Sequence, residues 1–386
     1  MRSSPEATVR VELPKPKSVR IASLDWARGA MLIASVLVNS LIVTPAWFDH
    51  AKWSGIHPVD IIFPMFVTLS GCGLAFAMHR KVKVKPLARR FVILLLVGLV
   101  YNAIVEWSVD VWTWRITGVL QLYAVLVALM GVLHLVTRSW RGWAVLTLLF
   151  ACAHTLALGL YSRSCPSGIL TRVCNPSGPL DSLIFGANHI YAEGVAGHDP
   201  EGIVAILGAM VSAAAGATVG HLMLSLTSAR HGTRSWPRAV VALSLTAAGF
   251  LILVFMLRLL AAVFGFEFLF AKRIWTAPFA LVVAAGTTML LLLGHLLLDR
   301  VGASPRLERA SFPLISLGRN SLLVYFGSHI LTTLLGRSFG GASLSMRYFD
   351  AMGGTILAQV GWSLALLAFW TTLAVALHRR GIYLRP

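Results

Sequence analysis

Residues 239–262 read AVVALSLTAAGFLILVFMLRLLAA, a run broken by a single charged side chain, Arg258. A helix of that length rises ~36 Å, enough to cross the ~30 Å hydrocarbon layer of a bilayer. Similar stretches recur near 26–45, 58–79, 91–106, 115–135, 142–160, 201–224, 275–297, 312–336 and 354–378. In lipid every backbone polar group must be satisfied internally, so such runs fold as helices. The sequence therefore predicts an all-α polytopic membrane bundle of about ten spans. Composition agrees: 57% of the 386 residues are hydrophobic and 12% are charged, about half the charge of a soluble domain. No repeat, heptad run or low-complexity linker divides the chain. The expected division is a basic tail, 1–20, and one membrane domain, 21–386.

The formal net charge of +18 invites a nucleic-acid reading. Its distribution argues for another. Numbering the gaps from the tail as inside, the inner gaps hold the clusters Arg80–Arg90, Arg138 with Arg141, Arg230–Arg238, Arg300–Arg309 and Arg379–Arg385, besides the basic tail. The outer gaps hold only Lys52, Arg163, Arg172, Lys272, Arg273, Arg337 and Arg347, while Arg28, Arg115, Arg258 and Arg319 fall within spans. This is the positive-inside bias, which places both termini in the cytoplasm. The basicity reports topology and attraction to anionic lipid headgroups, so the partner is a bilayer and no nucleic acid is expected. The tail is basic and Pro-rich with no apolar core before residue 29, so no cleaved leader is expected.

Of the four cysteines, Cys72 and Cys152 lie in spans and read as small buried hydrophobes. Cys165 and Cys174 lie in the longest outer gap, Tyr161 to His198. An oxidising compartment makes a disulfide the expected state there, with two free thiols as the alternative. A gap that long, without obvious structure, reads as a cap over an outward-opening site or as a plain surface loop.

Ionisable residues inside a bundle are costly and mark candidate sites. Asp25 and Arg28 share one helical face at the inner end of the first span. Arg28 and Arg319, within Gly318-Arg319-Asn320, either snorkel to headgroups or grip a phosphate-rich ligand entering from the cytoplasm. The first outer loop runs Trp47-Phe48-Asp49-His50-Ala51-Lys52-Trp53-Ser54-Gly55, then His57-Pro58-Val59-Asp60. His50 is either part of an interfacial aromatic belt or a general base or acyl acceptor. Asp60 is placed to orient His50 and stabilise its charged form, with His57 as an alternative partner. Asn39 offers an amide N–H to a developing oxyanion. The stretch His198-Asp199-Pro200-Glu201-Gly202 is an ordinary helix start or a contact for a sugar hydroxyl or ammonium. No metal is expected.

At these residues the chain resembles the heparan-alpha-glucosaminide N-acetyltransferase family. The stretches that carry it are Ser23-Leu24-Asp25-Trp26-Ala27-Arg28-Gly29, Val38-Asn39, His50-Ala51-Lys52-Trp53-Ser54-Gly55 and Asp60-Ile61-Ile62-Phe63-Pro64-Met65-Phe66. Arg115-Ile116-Thr117-Gly118-Val119-Leu120-Gln121, Asp199-Pro200-Glu201-Gly202 and Gly318-Arg319-Asn320-Ser321-Leu322-Leu323-Val324-Tyr325 follow in the same order. The resemblance implies acetyl-CoA bound from the cytoplasm and acetyl transfer to an amino sugar on the far side. It implies His50 as catalytic histidine, with Asn39 and Asp60 beside it. Arg28, Arg319 and Asn320 are expected to bind acetyl-CoA, and Arg115, Trp53, Asp199 and Glu201 the acceptor. Animal members form dimers, which points to a homodimer. The expected location is a bacterial plasma membrane.

Departures exist. Ser54 stands where the family has Asn, the glycines usual between Asn39 and His50 are missing, and the histidine after the ninth-span tyrosine falls one place late, at His329. His329 is therefore given no role. An O-acyltransferase of envelope glycans is the nearest rival, since it shares the Leu-Asp-x-x-Arg-Gly opening. A transporter or flippase is the rival from another class, but the broken-helix repeat pairs of transporters are not visible in the sequence.

Overall fold

The computed structural model describes residues 21–228, 236–299, 304–338 and 340–384. The tail 1–20 and the basic residues Arg230, Arg234, Arg300 and Arg385 lie outside them. The described residues form helices joined by loops: α1 (Ala22–Asn39), α2 (Ile62–Met78), α3 (Val84–Glu106), α4 (Val119–Val136), α5 (Trp140–Ser162), α6 (Ser177–Phe185) and α7 (Ile203–Ser228). They continue with α8 (Trp236–Phe264), α9 (Ala277–Gly294), α10 (Pro305–Arg319), α11 (Ser321–Gly336), α12 (Leu344–Ala351) and α13 (Ile356–Arg379). Among the described residues, eight helices are long and apolar enough to cross a membrane. They contain α2–α5, α7–α9 and α13. Two of the expected spans fall short of that test: α1, which opens with Asp25 and Arg28, and α11, of 16 residues.

The expected ninth span, 312–336, is two helices and not one. The chain breaks at Asn320 (φ −110°, ψ 30°), between α10 and α11. The apolar pattern runs across the break, which is why sequence alone reads one element. α10 itself is amphipathic, with Arg306, Glu308 and Arg309 near its start. The fourth span also starts later than expected, at Val119, so Arg115 lies in the non-helical segment before α4. The long gap 161–198 is not structureless: it contains α6, and Cys165 is bonded to Cys174 (Cα–Cα 5.8 Å). The Asn175 side-chain amide donates to the carbonyls of Thr171, Arg172 and Gly197 at 2.8–3.0 Å, closing the rest of the gap on itself.

The bundle is organised around α2 and α7, its most enclosed spans, while α3, α8 and α13 expose most of their surface. Lipid tails are as apolar as leucine, so helix association there rests on close packing of small residues. The α2–α7 crossing is built that way. A Cβ on Gly216 would lie 1.9 Å from the Thr68 carbonyl oxygen, and one on Gly71 would lie 2.0 Å from that of Ala213. The α1–α10 crossing repeats the device, with Gly318 against the Asp25 carbonyl. Gly216→Val is expected to destabilise the bundle by about 1–3 kcal/mol or more, read as a lower unfolding midpoint in detergent. Gly249→Ala, on α8, would meet nothing within 4 Å and should hold or raise the midpoint. Equal losses in the two variants would contradict this packing account.

Candidate active site

α1 and α2 each run between the two ends of the bundle. One end carries Asp25, Arg28 and Arg319; the other carries Asn39, His50 and Asp60. Arg28 lies 4.0 Å from Asp25, Arg319 Nε lies 3.6 Å from the other Asp25 oxygen, and an Arg28 NH2 group donates to the Leu69 carbonyl (3.2 Å). Arg319 also donates to the Tyr383 hydroxyl (2.8 Å), packs over the Tyr383 ring (5.2 Å) and contacts His378. Arg28, Arg319 and Arg90 line a cavity of about 500 Å³. Its wall continues along α2 through Ala77, Gly73, Ser70 and Phe66 to Phe63, a path of ~21 Å at the rise of a helix. On α11 it is lined by Ser321, Leu322, Tyr325 and Phe326. Asn320 does not line it: its side chain is fully buried at the helix break, and its amide makes no hydrogen bond to the described residues. Arg90 is the addition, since in sequence it is one of six inner-loop cations.

One turn beyond Phe63 lies Asp60, and one turn beyond Tyr325 lies His329. Asp60 sits in the helical turn Pro58–Ile61 that leads into α2. It is buried and accepts from His50 Nδ1 (2.7 Å), the His57 backbone N–H (2.9 Å) and the Ala51 backbone N–H (3.2 Å). A carboxylate can only accept, so Nδ1 of His50 carries a hydrogen, and in the neutral ring the lone pair is on Nε2. The His50 side chain is 38% exposed, which leaves that lone pair reachable. His57 is not the partner sequence allowed: its ring turns to the Asp49 carbonyl (2.6 Å). Asn39 uses its amide N–H groups on Ser35 Oγ (3.1 Å) and His329 Nδ1 (3.0 Å). His329, given no role from sequence, thus meets Asn39 and lies within electrostatic reach of His50 and Lys272.

A second polar cluster caps the same end. Asp199 is fully buried and accepts from Thr117 Oγ1, the Tyr191 N–H (2.9 Å), the Glu201 N–H (2.9 Å) and Arg115 (3.3 Å). Arg115 also donates to Glu201 (2.7 Å) and packs over the Tyr191 ring at 4.9 Å. Asp199 therefore has no oxygen lone pair open to a ligand, whereas Glu201 keeps one oxygen outside the pair with Arg115. Trp53 donates from Nε1 to the Leu170 carbonyl (2.8 Å) and packs edge-on against His198. It fastens the first loop to the disulfide-tied gap. Lys272, in the loop between α8 and α9, joins the clusters: its Nζ lies 3.3 Å from His50 Nδ1. Burial pushes its ammonium below the usual lysine range, against the pull of the Glu201 and Asp60 charges and with the push of Arg273. Nothing in the local sequence marks Lys272 out, because His50 and Asp60 are more than two hundred residues away. Among the described residues no group of three or more His, Cys, Asp or Glu side chains is placed to hold a metal.

The family model described as "Heparan-alpha-glucosaminide N-acetyltransferase, catalytic" matches residues 20–258. Two relatives bear the name heparan-alpha-glucosaminide N-acetyltransferase. The Homo sapiens protein is 26% identical over 258 residues, covering 53% of this chain and 39% of that protein. The Mus musculus protein is 23% identical over 380 residues, covering 84% of this chain and 56% of that protein. The chain thus spans about half the length of these relatives or less. Lys272 and His329 lie beyond the stretch that the family model covers.

Asp199→Ala leaves the Thr117 hydroxyl and the Tyr191 and Glu201 backbone N–H groups without their acceptor, while Arg115 keeps Glu201, and is expected to cost about 1–3 kcal/mol or more, measured as a fall in unfolding midpoint; Asp199→Asn, which keeps an acceptor oxygen, should cost less. Asp181, buried on α6, accepts from Ser177 Oγ and the Ile203 N–H, both at 2.7 Å. Burial pushes its carboxyl up to about 6 from an ordinary 3.8, Asp199 adding to the rise. The folded state therefore holds this proton more tightly than the unfolded chain. The group's stabilisation is full below pH 3.8 and is lost as pH rises through about 6, at most about 3 kcal/mol. A thermal-unfolding series should show the midpoint of Asp181→Asn varying less over that window than that of wild type.

Proposed function

The chain belongs to the catalytic family of heparan-alpha-glucosaminide N-acetyltransferases, and we propose that it moves the acetyl group of acetyl-CoA across the membrane to an amino sugar. The observation that carries this reading is the cavity. It begins at Arg28, Arg90 and Arg319 and follows α2 to within one turn of Asp60. A CoA nucleotide is too highly charged for lipid, and guanidinium forks suit its phosphates. An apolar passage beyond them suits the pantetheine arm, which would bring the thioester toward His50. The thioester is already activated, so the protein supplies positioning and a base. The acceptor amine attacks the thioester carbon directly, the carbon–sulfur bond breaks, His50 Nε2 takes a proton from the attacking nitrogen and can pass it to the departing thiolate, and Asp60 stabilises the imidazolium. Glu201, with its free oxygen, suits the acceptor's ammonium.

Two observations support the sidedness. Most basic residues flank the end that carries Arg28. The disulfide Cys165–Cys174 lies at the His50 end, and disulfides persist in oxidising compartments. The donor would then enter from the cytoplasm and the acceptor from outside.

Purified protein incubated with labelled acetyl-CoA and glucosamine should form N-acetylglucosamine, and His50→Ala should lose on the order of 100-fold or more in rate. Arg28→Gln and Arg90→Gln should raise the KM for acetyl-CoA about tenfold each with a smaller effect on kcat. Acetyl transfer to hydroxyl acceptors alone would overturn the amino-sugar assignment. Failure to bind acetyl-CoA would overturn the whole reading.

A further inference from the structure

An amino sugar at neutral pH is an ammonium and has no lone pair with which to attack. Two protons must leave its nitrogen, one before the C–N bond forms and one after. His50 can hold only one of them. We propose that Lys272 is the base that takes the first proton, leaving His50 Nε2 for the second; this rests on the N-acetyltransferase reading above.

The geometry selects Lys272. His50 Nδ1 lies 2.7 Å from Asp60 Oδ1 and 3.3 Å from Lys272 Nζ. Asp60 also takes two backbone N–H groups, the pattern of an ionised carboxylate, so the hydrogen of Nδ1 is committed to it. Lys272 therefore faces an N–H and not a lone pair. An ammonium there would set donor against donor, whereas a neutral amine turns its own lone pair toward that hydrogen. The uncharged amine is the form that fits. Its surroundings work in the same direction: enclosure and the neighbouring Arg273 disfavour a charge on Lys272, while Asp60 and Glu201 favour one. His329 also lies within reach of its field. Glu201 pairs with Arg115 through one oxygen and can hold the incoming ammonium with the other, beside Lys272.

The step balances. The ammonium gives one proton to the Lys272 amine and becomes a free amine. That amine bonds to the acetyl carbon, the carbon–sulfur bond breaks, and the second proton passes through His50 Nε2 to the departing thiolate. Lys272 then releases its proton to the outer solution. The products are an amide, a thiol and one proton.

The test compares wild type, Lys272→Met and Lys272→Arg on two acceptors, glucosamine and an aminooxy analogue whose –O–NH2 group is uncharged at pH 6.5. Arginine carries the charge that Lys272 bears after taking the proton but cannot act as a base. At pH 6.5 both variants should lose on the order of 100-fold in kcat/KM with glucosamine and less than tenfold with the aminooxy sugar. Their glucosamine rate should climb about tenfold per pH unit as free amine accumulates, while the wild-type profile stays shallow. Retention of acetyl-CoA on the same samples reports an intact fold, and Lys272→Arg carries the comparison if Lys272→Met does not retain it. Equal losses on both acceptors, or a wild-type pH profile in Lys272→Arg, would overturn the role of Lys272 alone. A wild-type protein that acetylates neither acceptor would overturn the N-acetyltransferase reading, and this inference with it.

Discussion

Everything at the two ends of this bundle depends on how closely α2 and α7 approach. The contact is backbone against glycine, Thr68 against Gly216 and Ala213 against Gly71, and it leaves no freedom for one helix to slide past the other. The turn that holds Asp60 leads into α2, which forms the cavity wall; α7 begins just after Glu201. Their mutual register therefore fixes where the carboxylate behind His50 stands relative to the carboxylate of the capping cluster. Gly208, near the start of α7, extends the same logic. A Cβ there would lie 2.0 Å from the Trp275 carbonyl oxygen, so the missing side chain lets the Lys272 loop settle against α7. Small residues, which carry no chemistry, thus set the relative positions of the charged ones.

The acidic residues at the His50 end divide by what surrounds them. Asp199 is saturated by four donors and holds the non-helical segment 114–117 against the start of α7. Asp60 is equally buried, but one of its donors is a half-exposed imidazole, so its charge is transmitted outward to an atom that can react. Glu201 keeps an oxygen unengaged by Arg115. Burial with complete satisfaction makes a structural post; burial behind an exposed base makes a catalytic support.

The sequence was informative wherever the relevant physics is local. Hydropathy located the eight long apolar helices, with ends within a few residues except at the start of α3, because lipid demands a continuous apolar run. His50 and Asp60 are ten residues apart in one loop, so their pairing could be anticipated from chemistry, as could the proximity of Cys165 and Cys174. The Asp199 and Glu201 motif was found, but its two members differ in role, which depends on Thr117 and Tyr191 arriving from elsewhere. Arg90 and Lys272 went unassigned for the same reason, and His329, one place out of the family's pattern, was given no role. Each is an ordinary residue in its own segment and acquires meaning only from groups far away in the chain. The break at Asn320 was hidden by apolar residues on its α11 side, which make the helix boundary look like the middle of a span.

α1 joins the two ends in a single uninterrupted helix, from Arg28 near its start to Asn39 at its close. Eleven helical steps fix that separation at ~16 Å, whatever the loops around it do. One inserted residue would lengthen it by ~1.5 Å and swing everything beyond the insertion by ~100° about the axis. Asn39 would leave His329, or Arg28 would leave the cavity. Relatives of this chain can therefore be expected to vary freely in the length of the capping gap while admitting no insertion or deletion between those two positions. An alignment would show there a block of constant length, kept so by geometry even where its apolar side chains have changed.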